Sequence, residues 1–227
     1  MRSLPLPLAL TARLTPVAVL ACAGWMMASG PDKTTSTSSS TDTSAQQAAG
    51  QSAGDSPSTS SASTAATKTY SAAPAPCGSI PVATIKSLVP GAKTAGKEIP
   101  STDTKLRRTC SWNALKGYDY RWLDVSFEIM DTNAAAAKEY KDRVAEKSGG
   151  GAVPGLGDTG YSVVNLTTED KQQTREGVVM AQVSNALVVV TYNGSDFENK
   201  KAPDTDVINK GAIQAAKAAV TALKGSQ

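Results

Sequence analysis

Between Ser29 and Thr67 the chain offers nothing to fold around. Of these 39 residues 20 are Ser or Thr, and none is Val, Ile, Leu, Met, Phe, Tyr or Trp. Such a segment buries too little apolar surface to offset chain entropy, so the sequence predicts a disordered tether over residues 29–72. Any packed structure must come from the apolar stretch before it or the longer segment after it. The tether's root-mean-square reach between Cys22 and Cys77, at about 5–6 Å × √n, is about 40 Å. A glycosylated Ser/Thr stalk is the alternative use of the same composition.

Residues 1–28 read as an export segment. Arg2 supplies early charge, and the apolar run from Leu14 to Ala28 is about 15 residues long. A membrane-spanning helix needs roughly 20, so a signal-peptide core fits better. Within the run, Val19-Leu20-Ala21-Cys22 resembles the bacterial lipobox, which would make Cys22 the lipidated residue. Two alternatives remain open, an uncleaved signal anchor and plain secretion. All three place the rest of the chain outside the cytoplasm.

Composition then removes chemistry. The chain of 227 residues has no His and three Cys. A Ser-His-Asp or Cys-His catalytic pair, an imidazole-ligated metal and a tetrathiolate zinc site are therefore all impossible. With 23 basic against 20 acidic residues, the net charge of +3 is too small for a nucleic-acid-binding chain. No S-x-x-K nucleophile pair occurs. The acidic residues Asp196, Glu198, Asp204 and Asp206 lack the spacing of a calcium loop. Neither a cofactor nor a metal is expected, and the chain reads as a non-enzyme.

Residues 73–227 read as one domain of ordinary size. Cys77 and Cys110, an even pair in an exported chain, are expected to form a disulfide. Helices are predicted at Pro81–Val89, Asn133–Lys147 and Asp206–Leu223. Asp131 or Thr132 caps the second, and Glu139 pairs with Arg143 at i,i+4. The third has Ile213, Ala216, Val220 and Leu223 inside and Lys210, Lys217 and Lys224 outside. Strands are predicted at Arg107–Asn113, Tyr120–Met130 and Tyr161–Asn165. A hairpin joins Val178–Val183 to Leu187–Tyr192 about Ser184-Asn185-Ala186. Leu187–Val190 is apolar on both faces and should be central, and Asn193-Gly194 reads as a turn. The order predicts an α+β fold, an antiparallel sheet of five to six strands with about three helices.

Two surfaces are candidates for a ligand or partner. One is Tyr118, Tyr120 and Trp122, with Tyr120 and Trp122 opposite the apolar face of their strand. An uncovered face makes them a binding platform; a helix-covered face makes them core. The other is the loop Gly155-Leu156-Gly157-Asp158-Thr159-Gly160. It spells G-x-G-x-x-G but lacks the preceding strand and following helix of a dinucleotide site. Its simpler reading is a tight turn with Asp158 accepting backbone N–H bonds. Trp112 should pack beside the disulfide.

These features together resemble the actinobacterial lipoproteins grouped as domain of unknown function 3558. The likeness rests on the lipobox, the Ser/Thr-rich spacer, Cys77 at the start of a short helix, Cys110-Ser111-Trp112, and Pro154-Gly155-Leu156-Gly157-Asp158 leading into a strand. Thr159-Gly160 stands where that family commonly has Glu-Ala. The domain also looks like kinase extracellular sensor domains and related envelope lipoproteins. The resemblance implies an antiparallel sheet with helices and a disulfide, and no catalytic residue. The expected role is a membrane-anchored lipoprotein with a binding or sensing domain. Its partners would be the membrane through the lipid, an envelope protein or a small ligand, and no nucleic acid. An assembly role with another envelope protein, or an enzyme of unfamiliar type, are the alternatives.

Overall fold

A computed structural model describes residues 68–227. The expected export segment, Cys22 and the tether as far as residue 67 lie outside the described residues. Three helices, α1 (Val82–Leu88), α2 (Asn133–Ala145) and α3 (Thr205–Lys224), pack on one antiparallel sheet. Its strands are β1 (Lys97–Ile99), β2 (Arg107–Lys116), β3 (Asp119–Ile129), β4 (Gly151–Ala152), β5 (Thr159–Glu169), β6 (Gln172–Val183) and β7 (Ala186–Asp196). Their spatial order is β1-β2-β3-β7-β6-β5-β4.

The α+β class agrees with the sequence, but the strand count is seven rather than five to six. The additional strands β1 and β4 are three and two residues long. Elements that short carry no alternation; they exist because a neighbouring strand offers free backbone groups to pair with. Asn193-Gly194 is a second correction. It is not a turn but lies inside β7, paired with Trp122 and Arg121 of β3. Long-range pairing on both sides of β7 overrides a local turn preference there. Strand β7 is the middle strand, as its two-sided apolar run requires.

The two faces of the sheet have different covers. On one, Trp112, Leu123, Val125, Phe127, Val179, Val190 and Tyr192 form the main core with α1 and α3. Alanines 212, 215, 216 and 219 let α3 lie close to the sheet, and all are fully buried. Gly211 sits against the Tyr192 ring, where a Cβ would stand 2.6 Å from Cε1. The buried stripe runs through Ile208, Ala212, Ala216, Val220 and Leu223, with Ile213 only partly buried at its margin. Lys210, Lys217 and Lys224 are exposed, as their seven-residue spacing predicts.

The opposite face is covered only toward one end. There α2 lays Tyr140 and Val144 on Tyr161, Val163, Val178, Met180 and Leu187. Thr132 caps the helix, its Oγ1 accepting from the Ala135 N–H at 3.0 Å. Arg143 pins it to the sheet, reaching Glu128 at 2.6 Å and Glu139 at 2.7 Å. The chain enters at this same end. Tyr70 is buried in the core, so packed chain reaches back to residue 70. The buried Asn185 side chain accepts from the Tyr70 N–H at 2.8 Å and donates to the carbonyls of Tyr70 and Met130.

Cys77, in a 3-10 turn at Pro76–Gly78, is bonded to Cys110 of β2, with Cα atoms 5.1 Å apart. Trp112 shares its face with Cys110. Gly96, at φ +65°, abuts both, since a Cβ there would stand 2.6 Å from Cys110 Sγ and from Trp112 Nε1. The buried indole donates to the Thr94 carbonyl at 3.1 Å.

Candidate functional site

Beyond the reach of α2 the second sheet face carries no helix among the described residues, and there the structure gathers aromatic side chains. Strand alternation puts Tyr120 and Trp122 on this face, since their neighbours Leu123 and Val125 face the main core. The two rings meet edge to face, with centroids 6.4 Å apart. Tyr120 also lies 5.9 Å from the ring of Phe197, whose backbone N–H donates to the Tyr118 carbonyl. Tyr118 is 57% exposed, Phe197 47%, Trp122 37%, and Leu115, opposite Tyr120 on β2, 57%. Singly exposed apolar residues are ordinary; several touching at one end of a sheet form a patch of the kind that marks an interaction site.

The indole of Trp122 is held in place. Its Nε1–H donates to Asp124 Oδ1, two residues along the same face, at 2.7 Å. Burial pushes the Tyr120 phenol pKa up, and the Asp124 charge adds to this, so the hydroxyl stays protonated as a donor. Asp124 and Thr109 also line an open cavity of about 540 Å³ toward the β1 edge, with Ile99, Leu106 and Arg107. Next to Asp124 in the β2–β3 register, Ser111 Oγ is buried without a hydrogen-bond partner. Among the described residues no group of three or more His, Cys, Asp or Glu converges on a point that could hold a metal.

The other candidate, the Gly155–Gly160 loop, lies at the chain-entry end, away from the aromatic patch. Gly155 and Gly157 adopt φ +73° and +67°, backbone that glycine reaches without strain. Asp158 Oδ2 accepts from the Ser184 N–H at 2.6 Å, and the Asp158 N–H donates to the Gln182 carbonyl. Leu156 is buried. Asp158 is thus engaged with the β6–β7 turn and accepts a backbone N–H, as its turn reading anticipates.

Sequence reasoning missed Phe197 and the polar residues beside Trp122. Phe197 follows β7 by one residue, and only the β3–β7 register brings it to Tyr118 and Tyr120. Nothing local in the sequence signals that meeting.

No family model matches this chain, and no curated protein does. Two solved structures resemble part of it. One is a protein from Bacteroides thetaiotaomicron, at TM-score 0.31 and 10% identity, covering 52% of this chain and 47% of that one. The other is the extracellular domain of PknH from Mycobacterium tuberculosis, at TM-score 0.29 and 13% identity, covering 52% of this chain and 64% of that one. The chain thus spans less than two thirds of either protein, and likenesses of this extent do not establish a shared fold.

Proposed function

We propose that the chain is an exported lipoprotein, anchored to the outer face of the cell membrane through Cys22, whose folded domain binds a ligand or partner without catalysing a reaction. The observation that carries the binding role is the aromatic group of exposed Tyr118, Trp122 and Phe197 around half-buried Tyr120, at the end of the sheet face that no helix among the described residues covers. The anchor rests on the lipobox-like Val19-Leu20-Ala21-Cys22 and the Ser/Thr-rich tether behind it. No helix among the described residues is long and apolar enough to cross a membrane.

Two measurements test the reading. Metabolic labelling with a fatty acid should mark the wild-type chain and not Cys22→Ser; an unlabelled wild type ends the anchoring claim. Retention of the full-length Cys22→Ser chain on purified cell envelopes should fall about tenfold or more, roughly 1.4 kcal/mol, when Tyr120 and Trp122 both become Ala. The same pair of changes should leave the melting temperature within a few degrees. Unchanged retention would show that these rings are not the binding surface, and unfolding would show that they are core.

A further inference from the structure

The uncovered face holds more than aromatic rings. Cross-strand partners in an antiparallel sheet share a face, and the registers place Asn113, Trp122, Asn193, Glu176 and Asn165 in one line. The line crosses β2, β3, β7, β6 and β5 in that order. At roughly 4.8 Å per strand it is about 19 Å long. Among the described residues, the side chains of Asn113, Asn193, Glu176 and Asn165 have neither hydrogen-bond nor ion-pair partners, and each is at least partly exposed. Trp122 stands among them with its indole fixed by Asp124.

We propose that this row is a binding track for a linear, uncharged polysaccharide of the cell envelope. The proposal rests on the binding-face reading above and names the occupant of that face. A carboxamide offers two donors and an acceptor, and a carboxylate accepts. Sugar hydroxyls both donate and accept, so they satisfy such a row. A flat indole suits the C–H face of a pyranose, for the same reason that aromatic rings serve wherever apolar surface meets wet surface. Other occupants fit worse. A phosphate-bearing chain calls for Arg or Lys along its length; the row itself has none, and Lys93 and Lys97 stand only at its Asn113 end. An apolar helix calls for a continuous apolar groove, and three members of the row are amides.

The geometry also favours a polymer over a single sugar. Strand β1 pairs with Thr109–Ser111 and stops short of Asn113. Strand β4 pairs with Tyr161 and Ser162 and stops short of Asn165. Among the described residues no strand therefore walls off either end of the track, and a chain can run through it. The track lies seven residues along β7 from Ala186, beside the Asn185 clasp where the chain enters. That is about 24 Å at roughly 3.4 Å per residue. A domain held at its entry end thus presents the track on its far half.

The test uses the full-length chain with Cys22→Ser, labelled with nitrogen-15. Chitotetraose, cellotetraose, maltotetraose and mannotetraose are each titrated to about 10 mM, beyond the millimolar edge of useful affinity. At least one should shift the Trp122 indole signal and the side-chain amides of Asn193 and Asn165, leaving the buried Trp112 indole in place. It should bind about tenfold or more tighter than its own monosaccharide. Asn193→Ala, a change at a partly exposed amide, should weaken it about fivefold or more with the spectrum otherwise intact.

Silence from all four tetrasaccharides overturns the proposal, as do shifts confined to other residues or an affinity equal to the monosaccharide's. A photo-crosslinker at Tyr118 separates this failure from that of the broader reading. Envelope protein captured there, with every sugar silent, leaves a binding face whose occupant is not a glycan. No capture and no sugar binding ends both.

Discussion

Reducing the Cys77–Cys110 bond removes a cross-link that closes a loop of sequence separation 33. On the chain-entropy model, holding such a loop shut in the unfolded ensemble stabilises the fold by about 3.7 kcal/mol at 25 °C. Against a total of about 5–15 kcal/mol for an ordinary domain, this is a large share. With a urea m-value of about 2 kcal/mol/M, the unfolding midpoint should drop by roughly 1.8 M. The informative comparison is oxidised against reduced wild type, because both sulfur atoms stay in place. Cys110 is fully buried, so a Cys77→Ala, Cys110→Ala variant adds the loss of packed atoms and should be less stable still. The unfolded chain also expands when the link is gone, so m should rise on reduction. Urea unfolding followed by circular dichroism, with thiols titrated before and after, measures both quantities. A midpoint shift below about 0.5 M, with m unchanged, would refute the reasoning and place the value of the bond elsewhere.

Asn185→Ala strips three hydrogen bonds from the entry clasp and should cost about 2–4 kcal/mol, with early loss of amide protection at Tyr70 in hydrogen exchange. Gly211→Ala should destabilise by about 1–2 kcal/mol despite the better helix propensity of Ala, because the new Cβ meets Tyr192 and Leu88; a raised melting temperature would contradict the packing described for α3. The Glu98–Arg108 pair gives a pH signature. The Arg108 hydrogen bond holds the Glu98 carboxyl below its usual range, against the opposing pull of desolvation. A lowered folded pKa contributes stability that is present above the unfolded carboxylate range and lost as pH falls through the folded value. The stability difference between wild type and Glu98→Gln should therefore be positive at pH 7, shrink on acidification and weaken in high salt, because both side chains are partly exposed. A difference that grew on acidification would reverse the sign.

What the sequence alone determined is what short-range chemistry fixes. The alternation in β3, a cap at Asp131 or Thr132, the Glu139–Arg143 pair and the two-sided apolar run of β7 each depend on residues within a turn or a strand of one another. The even pair of Cys in the folded part pointed to the cross-link, because two thiols in a chain expected to be exported have few other partners. Where local preference and long-range pairing disagreed, as at Asn193-Gly194, pairing on both sides of β7 prevailed. Strands β1 and β4 were invisible because two or three residues have no period.

The candidate site divides along the same line. Tyr118, Tyr120 and Trp122 stood out as neighbours in the chain. Whether they were core or surface depended on where α2 ended over the sheet, and no local pattern encodes that. Phe197 joined them only through the β3–β7 register. The row from Asn113 to Asn165 is assembled from residues up to 80 positions apart. A one-residue slip in any of its four strand pairings would turn part of it to the opposite face. Tertiary structure decided the site because a sheet face is a property of register, and register belongs to pairs of strands rather than to either strand alone.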